Sequence, residues 1–296
     1  MILVTGGTGF VGPKIVHALR TEGAEVRVLA RNPASRAART AEAWGCSLAA
    51  GDMTDLASLR RAVAGCDTVV HLVAILLGPE DAFDRVMVAG TRALLEAARD
   101  AGVRRVVLMS ALGTGEGTKE LTPYFRAKWE QEEAVEASGI PYAIFRPSFV
   151  FAPDGGVLQA ALRVVRFSPV VPVVVPDLRL QPIWAADVAS FFTAAAVHGK
   201  GTNGTWELGG AEVVTWRELW DRVERILGKR RANPTLPLGL LRAAAALGNL
   251  LPPTRGAPGG VTMLSFGDNV TDIGPAVEEF GVRPIGLDEQ IRRAVG

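Results

Sequence analysis

Through the first half of the chain, short apolar runs alternate with segments whose apolar positions recur at helical spacing. Residues 1–5 form an apolar run that enters a glycine cluster, and a helical period follows from Val11 to Leu19. Further strands are predicted at 25–30, 47–50, 68–73, 105–110 and 142–146. Helices are predicted at 55–64 and at 81–101, the second closed by Gly102. Another opens at Thr122-Pro123, with threonine as N-cap and proline in the first turn, and stops at Gly139 and Pro141. Strands that are apolar throughout and alternate with helices predict an α/β fold, a doubly wound parallel sheet covered on both faces.

The alternation fails after Pro147. Prolines stand at 153, 169, 172, 176 and 182, and only a strand at 205–208 and a helix at 215–227 read cleanly beyond them. The expected organisation is a nucleotide-binding domain of residues 1–150 and 184–212. A smaller C-terminal substrate domain would take 151–183 and 213–296, with a crevice between the two at the carboxyl edge of the sheet. Asp187, ahead of an apolar helix from Val188, reads as a helix N-cap. Gln181 and Trp184 are candidates to line the crevice, while Trp206, Trp216 and Trp220 read as core.

Composition narrows the class. The 296 residues carry a net charge of +1, 48% hydrophobic and 21% charged residues, which gives no bulk attraction for nucleic acid. Two cysteines, Cys46 and Cys66, form no C-x-x-C pair and suit a reducing cytoplasm. A strand starting at residue 2 leaves no room for a signal peptide. The apolar stretch from Leu236 to Leu251 is broken by Pro237 and Arg242 and is too short to span a bilayer. It reads as a buried helix, with peripheral membrane contact as the alternative. His17, His71 and His198 are scattered and no metal site is expected; His71 reads as a packed strand residue. Oligomeric state has no signature in the sequence.

The chemistry begins at the glycine cluster. Gly7, Gly9 and Gly12 fit G-x-G-x-x-G, while Thr5, Gly6, Gly9 and Gly12 fit T-G-x-x-G-x-x-G. Bare glycine backbone lets a pyrophosphate approach, and the N–H groups at the next helix's positive end hold it. Thr8, Phe10 and Val11 complete this loop. After the second strand, an NAD site places a carboxylate for the ribose hydroxyls, but here Arg31 stands, with Arg36 and Arg39 nearby. A guanidinium forks onto a 2′-phosphate, which favours NADP(H) over NAD(H). Asp52, followed by Met53, suits either an adenine contact or a turn cap, and Leu72, Val73 and Ala74 would pass the cofactor by backbone. Tyr124 and Lys128, four residues apart, share a helical face, where an ammonium would stabilise a phenolate and bring tyrosine into range for proton transfer to a small-molecule substrate.

Together T-G-G-T-G-F-V-G at 5–12, G-D at 51–52, H-L-V-A at 71–74, M-S-A-L-G at 109–113, Y-F-R-A-K at 124–128 and R-P-S-F-V-F at 146–151 resemble the short-chain dehydrogenase/reductase superfamily. Q-P-I-W-A-A-D-V-A at 181–189 and W-E-L-G-G at 206–210 extend the resemblance over nearly the whole chain. It is similar to the extended and atypical branches, described as NAD-dependent epimerase/dehydratase-like, and in particular to the NADPH-binding accessory subunit of respiratory complex I and its bacterial relatives. The resemblance implies a Rossmann-type fold, phosphate binding at Gly6, Gly9 and Gly12, Tyr124 as general acid/base with Lys128 as electrostatic partner, and backbone at Phe149 and Val150 facing the nicotinamide amide. It implies either an oxidoreductase or epimerase on a carbonyl or alcohol, quinone-related compounds included, or a non-catalytic assembly or sensing subunit. One position departs from the pattern: Leu112 stands where active members carry Ser or Thr. Ser110 and Thr114 are the nearby hydroxyls, and losing that donor would remove about 3 kcal/mol of transition-state stabilisation. Residues 113–117 form a candidate mobile lid.

Overall fold

In the computed structural model, which describes residues 1–76, 78–248, 261–262 and 265–296, seven strands pair in parallel into one sheet. They are β1 (Ile2–Thr5), β2 (Val26–Ala30), β3 (Ser47–Ala50), β4 (Thr68–His71), β5 (Arg105–Met109), β6 (Tyr142–Pro147) and β11 (Gly204–Leu208). Their spatial order is 3-2-1-4-5-6-11, so the order of the strands reverses between β1 and β4. Registers such as Thr5↔His71 and Thr5↔Leu29 put the carboxyl ends of β1, β2 and β4 at one edge, where ligands bind in such sheets.

Successive strand residues point to opposite faces and feed two cores. Val4, Val28, Val70 and Val107 pack with Ile15, Val16 and Leu19 of α1 (Gly12–Thr21) and Phe191 and Phe192 of α8 (Ala185–His198). Leu3, Val69, Val106 and Leu108 pack with Leu59 of α3 (Leu56–Val63), Leu94 and Leu95 of α5 (Gly90–Asp100) and Val135 of α6 (Pro123–Glu136). Each valine-rich strand therefore buries both faces, which is why these strands read as unbroken apolar runs rather than alternating ones.

A third core gathers residues 151–184 with the C-terminal third. Phe151, Leu158, Leu162, Val165 and Trp184 meet Trp216, Leu219 and Val223 of α9 (Trp216–Leu227), together with Leu287 and Ile291 of the last helix, Leu287–Val295. Helix α7 (Gly156–Phe167) lies between Pro153 and Pro169, and its buried Leu158, Ala161, Leu162 and Val165 have helical spacing. The proline density around it hides this signal. Helix α2 (Arg36–Ala43) is also unannounced, because it buries only Ala38 and Ala41. The helix expected over 81–101 is in fact Glu80–Ala82, a π-helical stretch Phe83–Ala89, and α5.

Several expectations are corrected. Asp187 is not an N-cap: α8 starts at Ala185, and the Asp187 carboxylate accepts a hydrogen bond from the Ile285 N–H at 2.9 Å. Burial raises the pKa of that carboxyl. Gln181 does not line a crevice, since its Nε2 donates to the Gly210 carbonyl and its Oε1 accepts from Thr271 N–H. Trp184 and Trp216 are buried in the third core, whereas Trp206 and Trp220 are only partly covered. Helix α10 (Leu238–Gly248) exists, but Leu240 is 59% exposed, so the expectation of a buried helix fails over the described part; residues 249–251 lie outside the described residues. Among the described residues, no helix is long and apolar enough to cross a membrane, and no group of three His, Cys, Asp or Glu could hold a metal.

Candidate functional site

The glycine loop leaves β1 at the point where the sheet order reverses. Gly6 has φ +75°, and a Cβ there would lie 2.9 Å from the Leu72 carbonyl carbon and 3.0 Å from Val73 N. At Gly12 a Cβ would lie 2.3 Å from the Gly6 carbonyl oxygen and 2.6 Å from the Gly7 carbonyl carbon. Gly7 instead meets only valine methyls, at 3.0 Å or beyond. Backbone packing thus requires glycine at 6 and 12, the T-G-x-x-G-x-x-G reading. The turn is pinned by the Gly9 N–H donating to the Gly6 carbonyl at 3.0 Å. Helix α1 begins at Gly12 with no side-chain cap; Pro13 has no N–H and the Lys14 N–H goes to the Val11 carbonyl, so among the described residues the Val11 and Gly12 N–H groups are left for an anion. Thr8, Gly9 and Phe10 stand at the accessible crest, with Val11 buried beneath.

Thr5, just before the loop, anchors it from below through a buried polar network. Its Oγ1 donates to His71 Nδ1 at 2.6 Å. Thr91 gives its one hydroxyl proton to the Met87 carbonyl at 2.5 Å, so its oxygen accepts from His71 Nε2 and Gln131 Nε2, each at 2.8 Å. His71 Nε2 therefore carries a proton, and with burial favouring the neutral ring Nδ1 is the acceptor from Thr5. Burial, then the Lys128 charge, lowers its pKa to about 3. The unfolded chain binds that proton below about 6.5, so this network's contribution to stability is lost as pH falls from about 6.5 toward about 3. Nitrogen NMR of the three histidines is expected to show one neutral Nε2–H imidazole persisting through this window; three imidazolium signals in its upper half would contradict the network.

Beyond β2, Arg31, Arg36 and Arg39 are exposed, and none forms an ion pair among the described residues. Helix α2 opens beside them with Ser35 as its cap, its oxygen accepting from the Ala38 N–H. Asp52 takes the turn-cap role: Oδ1 accepts from Thr54 N–H at 2.9 Å and Thr54 Oγ1 at 2.7 Å, and these bonds lower its pKa. Met53 is buried against Gly90. Leu72 is buried, Val73 half-buried and Ala74 exposed.

On α6, Tyr124, Lys128 and Glu132 form one inward stripe at four-residue spacing, all three buried. Arg146 of β6 pairs bidentately with Glu132, at 3.0 and 2.5 Å. Lys128 is 0% exposed and donates to the Met109 carbonyl at 2.6 Å. Burial lowers its pKa to about 7, against the opposing pull of Glu132. Its Nζ lies 5.9 Å from the Tyr124 ring centroid. The Tyr124 ring sits among Phe83, Met87, Val88 and Phe125, and burial pushes the phenol above its ordinary range, opposite to the shift expected from a lysine neighbour.

Ser110 and Thr114 are buried with their hydroxyls 3.4 Å apart, and Leu112 is buried beside them, its N–H donating to the Pro147 carbonyl. In the candidate lid, Gly113 has φ +91° and packs against Phe266. The Phe149 carbonyl accepts from the Ile183 N–H at 3.0 Å. Two further features had no sequence signal at all. Lys14 of α1 pairs with Asp154 at 2.5 Å, and Phe10 packs on Gly155 and Gly156, so the start of α7 is fastened to the phosphate loop.

Residues 6–169 match the family model described as NAD(P)H-binding, and residues 114–237 match the RmlD substrate binding domain. The chain is 31% identical over 254 residues to ceramide reductase of Caulobacter vibrioides, covering 83% of this chain and 76% of that protein. It is 26% identical over 246 residues to the photosystem II assembly factor Ycf39 of Trieres chinensis, covering 83% and 75%. Its fold superimposes on NADPH-dependent quinone oxidoreductase QOR2 of Escherichia coli, in complex with NADPH, with TM-score 0.80 at 21% identity and all of both chains covered. With a glycine loop at the reversal point of a parallel sheet and more than half its length matched, this chain belongs to the NAD(P)H-binding family.

Proposed function

We propose that the protein is an NADP(H)-dependent reductase of an apolar carbonyl compound. One observation carries this reading: Tyr124, packed among apolar side chains, shares a helical stripe with a buried Lys128 at the carboxyl end of β5. The residues fit the cofactor. Gly6, Gly9 and Gly12 leave space for a pyrophosphate, the Val11 and Gly12 N–H groups at the start of α1 are offered to it, and Arg31, Arg36 and Arg39, without ion pairs among the described residues, are cations for a 2′-phosphate. NADP(H), when bound, supplies the hydride. Tyr124 gives its proton to the substrate oxygen as charge develops there, and Lys128 orients the reacting end through its ammonium. The substrate crevice is assigned between the sheet domain (1–150, 184–212) and the residues of the third core (151–183, 213–296). The likeness to a protein named ceramide reductase supports a reductase of an apolar substrate, and quinones are included in that class.

Leu112 favours a second reading, a non-catalytic NADPH-binding assembly or sensing subunit, and the Ycf39 likeness fits it. The cofactor assignment is common to both. Arg31→Ala is expected to weaken NADPH binding by about tenfold or more and NADH binding by less than about twofold, from loss of one charge-assisted contact. Fluorescence titration with each dinucleotide checks this, and equal loss for both would overturn the 2′-phosphate assignment. A panel of quinones, aldehydes and long-chain ketones, followed by NADPH absorbance, tests turnover.

A further inference from the structure

Helix α7 begins at the phosphate loop and ends, about 18 Å away for twelve helical residues, on a surface of unusual composition. Phe167, its last residue, is 84% exposed, and Val164 (37%) and Val170 (43%) flank it. The strand-like segment after α9 runs alongside: Val170 bridges Ala232, and Arg231 donates to the Val165 and Arg166 carbonyls. Arg163 and Arg166 on the helix and Lys229 and Arg230 on that segment are exposed. None of the four forms an ion pair among the described residues, although twenty such pairs occur elsewhere in them. Gathering unpaired cations around an exposed aromatic does nothing for folding: it adds repulsion and leaves apolar surface in water.

We propose that this face, Val164, Phe167 and Val170 ringed by Arg163, Arg166, Lys229 and Arg230, docks the protein onto an anionic lipid surface. Cations at this level meet lipid phosphates while the phenyl ring and its aliphatic neighbours enter the headgroup–acyl boundary. A second copy of the chain does not suit the face, because a two-fold contact would set like charges against each other. Nucleic acid would use the cations but leave the valines without a partner. The docking does not rest on the reductase reading. Docked this way, α7 stands between the bilayer and the phosphate loop.

The experiment is co-sedimentation of the full chain with vesicles of phosphatidylcholine, with and without phosphatidylglycerol, across a salt series. Binding is expected only to the anionic vesicles and is expected to weaken with salt. Each of Arg163→Glu, Lys229→Glu and Arg230→Glu should lower partitioning by about fivefold or more, and Phe167→Ala by about fivefold. These residues are exposed, so unchanged melting temperatures and unchanged NADPH titration keep the variants interpretable. Wild-type protein that stays in the supernatant, or variants that sediment like wild type, overturn the proposal. So does capture by an acidic polypeptide or an oligonucleotide while the vesicles stay bare. Because the readout is lipid binding, failure here leaves the cofactor assignment standing, and failure of NADPH binding leaves this one standing.

Discussion

Replacing Tyr124 by phenylalanine is expected to cut turnover of a carbonyl substrate by about 10²–10⁴-fold while dinucleotide affinity stays within about twofold. The variant removes one oxygen and leaves the ring. The ring holds its place through Phe125, at 5.7 Å between centroids, and through Phe83 and Met87, none of which touches chemistry. The hydroxyl makes no hydrogen bond among the described residues, so its loss leaves no partner stranded and should move the melting temperature little. Nor is a phenolate lost, since burial keeps the phenol protonated. The measurement is single-turnover NADPH oxidation alongside the fluorescence titration. A variant as fast as wild type removes Tyr124 from the chemistry. If wild type itself shows no turnover over the carbonyl panel while still binding NADPH, the Leu112 reading of a non-catalytic subunit takes its place.

The second large effect is expected at Gly12. Gly12→Ala should lower NADPH and NADH affinity alike, by about a hundredfold or more, because the added methyl falls 2.3 Å from the Gly6 carbonyl oxygen and 2.6 Å from the Gly7 carbonyl carbon. Those atoms are backbone and cannot swing aside, so the loop must open and the amide cradle with it. Gly115→Ala is the matched control: nothing lies within 4 Å of its added methyl, and its φ is not in the left-handed range. It should bind as wild type does. Gly7→Ala should fall between the two, since it meets side-chain methyls of Val28 and Val16 that can shift by a few tenths of an ångström. Calorimetric titration of the three variants orders them. Gly12→Ala binding as tightly as Gly115→Ala would show that the anion lies elsewhere.

The site was legible unevenly. The glycine motif, the Tyr124/Lys128 spacing and the missing carboxylate after β2 are local patterns, so they could be seen in one dimension. The choice between the two glycine readings was not local. It depends on what lies against each Cα, and for Gly6 that is Leu72 and Val73, sixty-six and more residues away. His71 looked like one more strand residue because its partners, Thr5 and Thr91, come from two other elements. The surroundings of Tyr124 were hidden for a related reason. Spacing puts Lys128 on the same face but says nothing of the Met109 carbonyl that takes its ammonium, or of the apolar side chains that dry the phenol.

What the chain order alone determined is the parallel sheet, its strand positions to within two residues over the first 150, and the phosphate loop. All of these follow from periodicity and glycine placement, which are properties of neighbours in sequence. Tertiary structure alone decided the burial that lowers the pKa of His71 and Lys128 and raises that of Tyr124, and the roles of Asp187 and Gln181 as ties. It also decided which apolar residues stay outside, with Phe167 and Leu240 exposed and Trp184 and Trp216 buried. The physical reason is that desolvation and hydrogen-bond partnership are set by whatever packs across from a residue, and in this fold those groups come from distant parts of the chain.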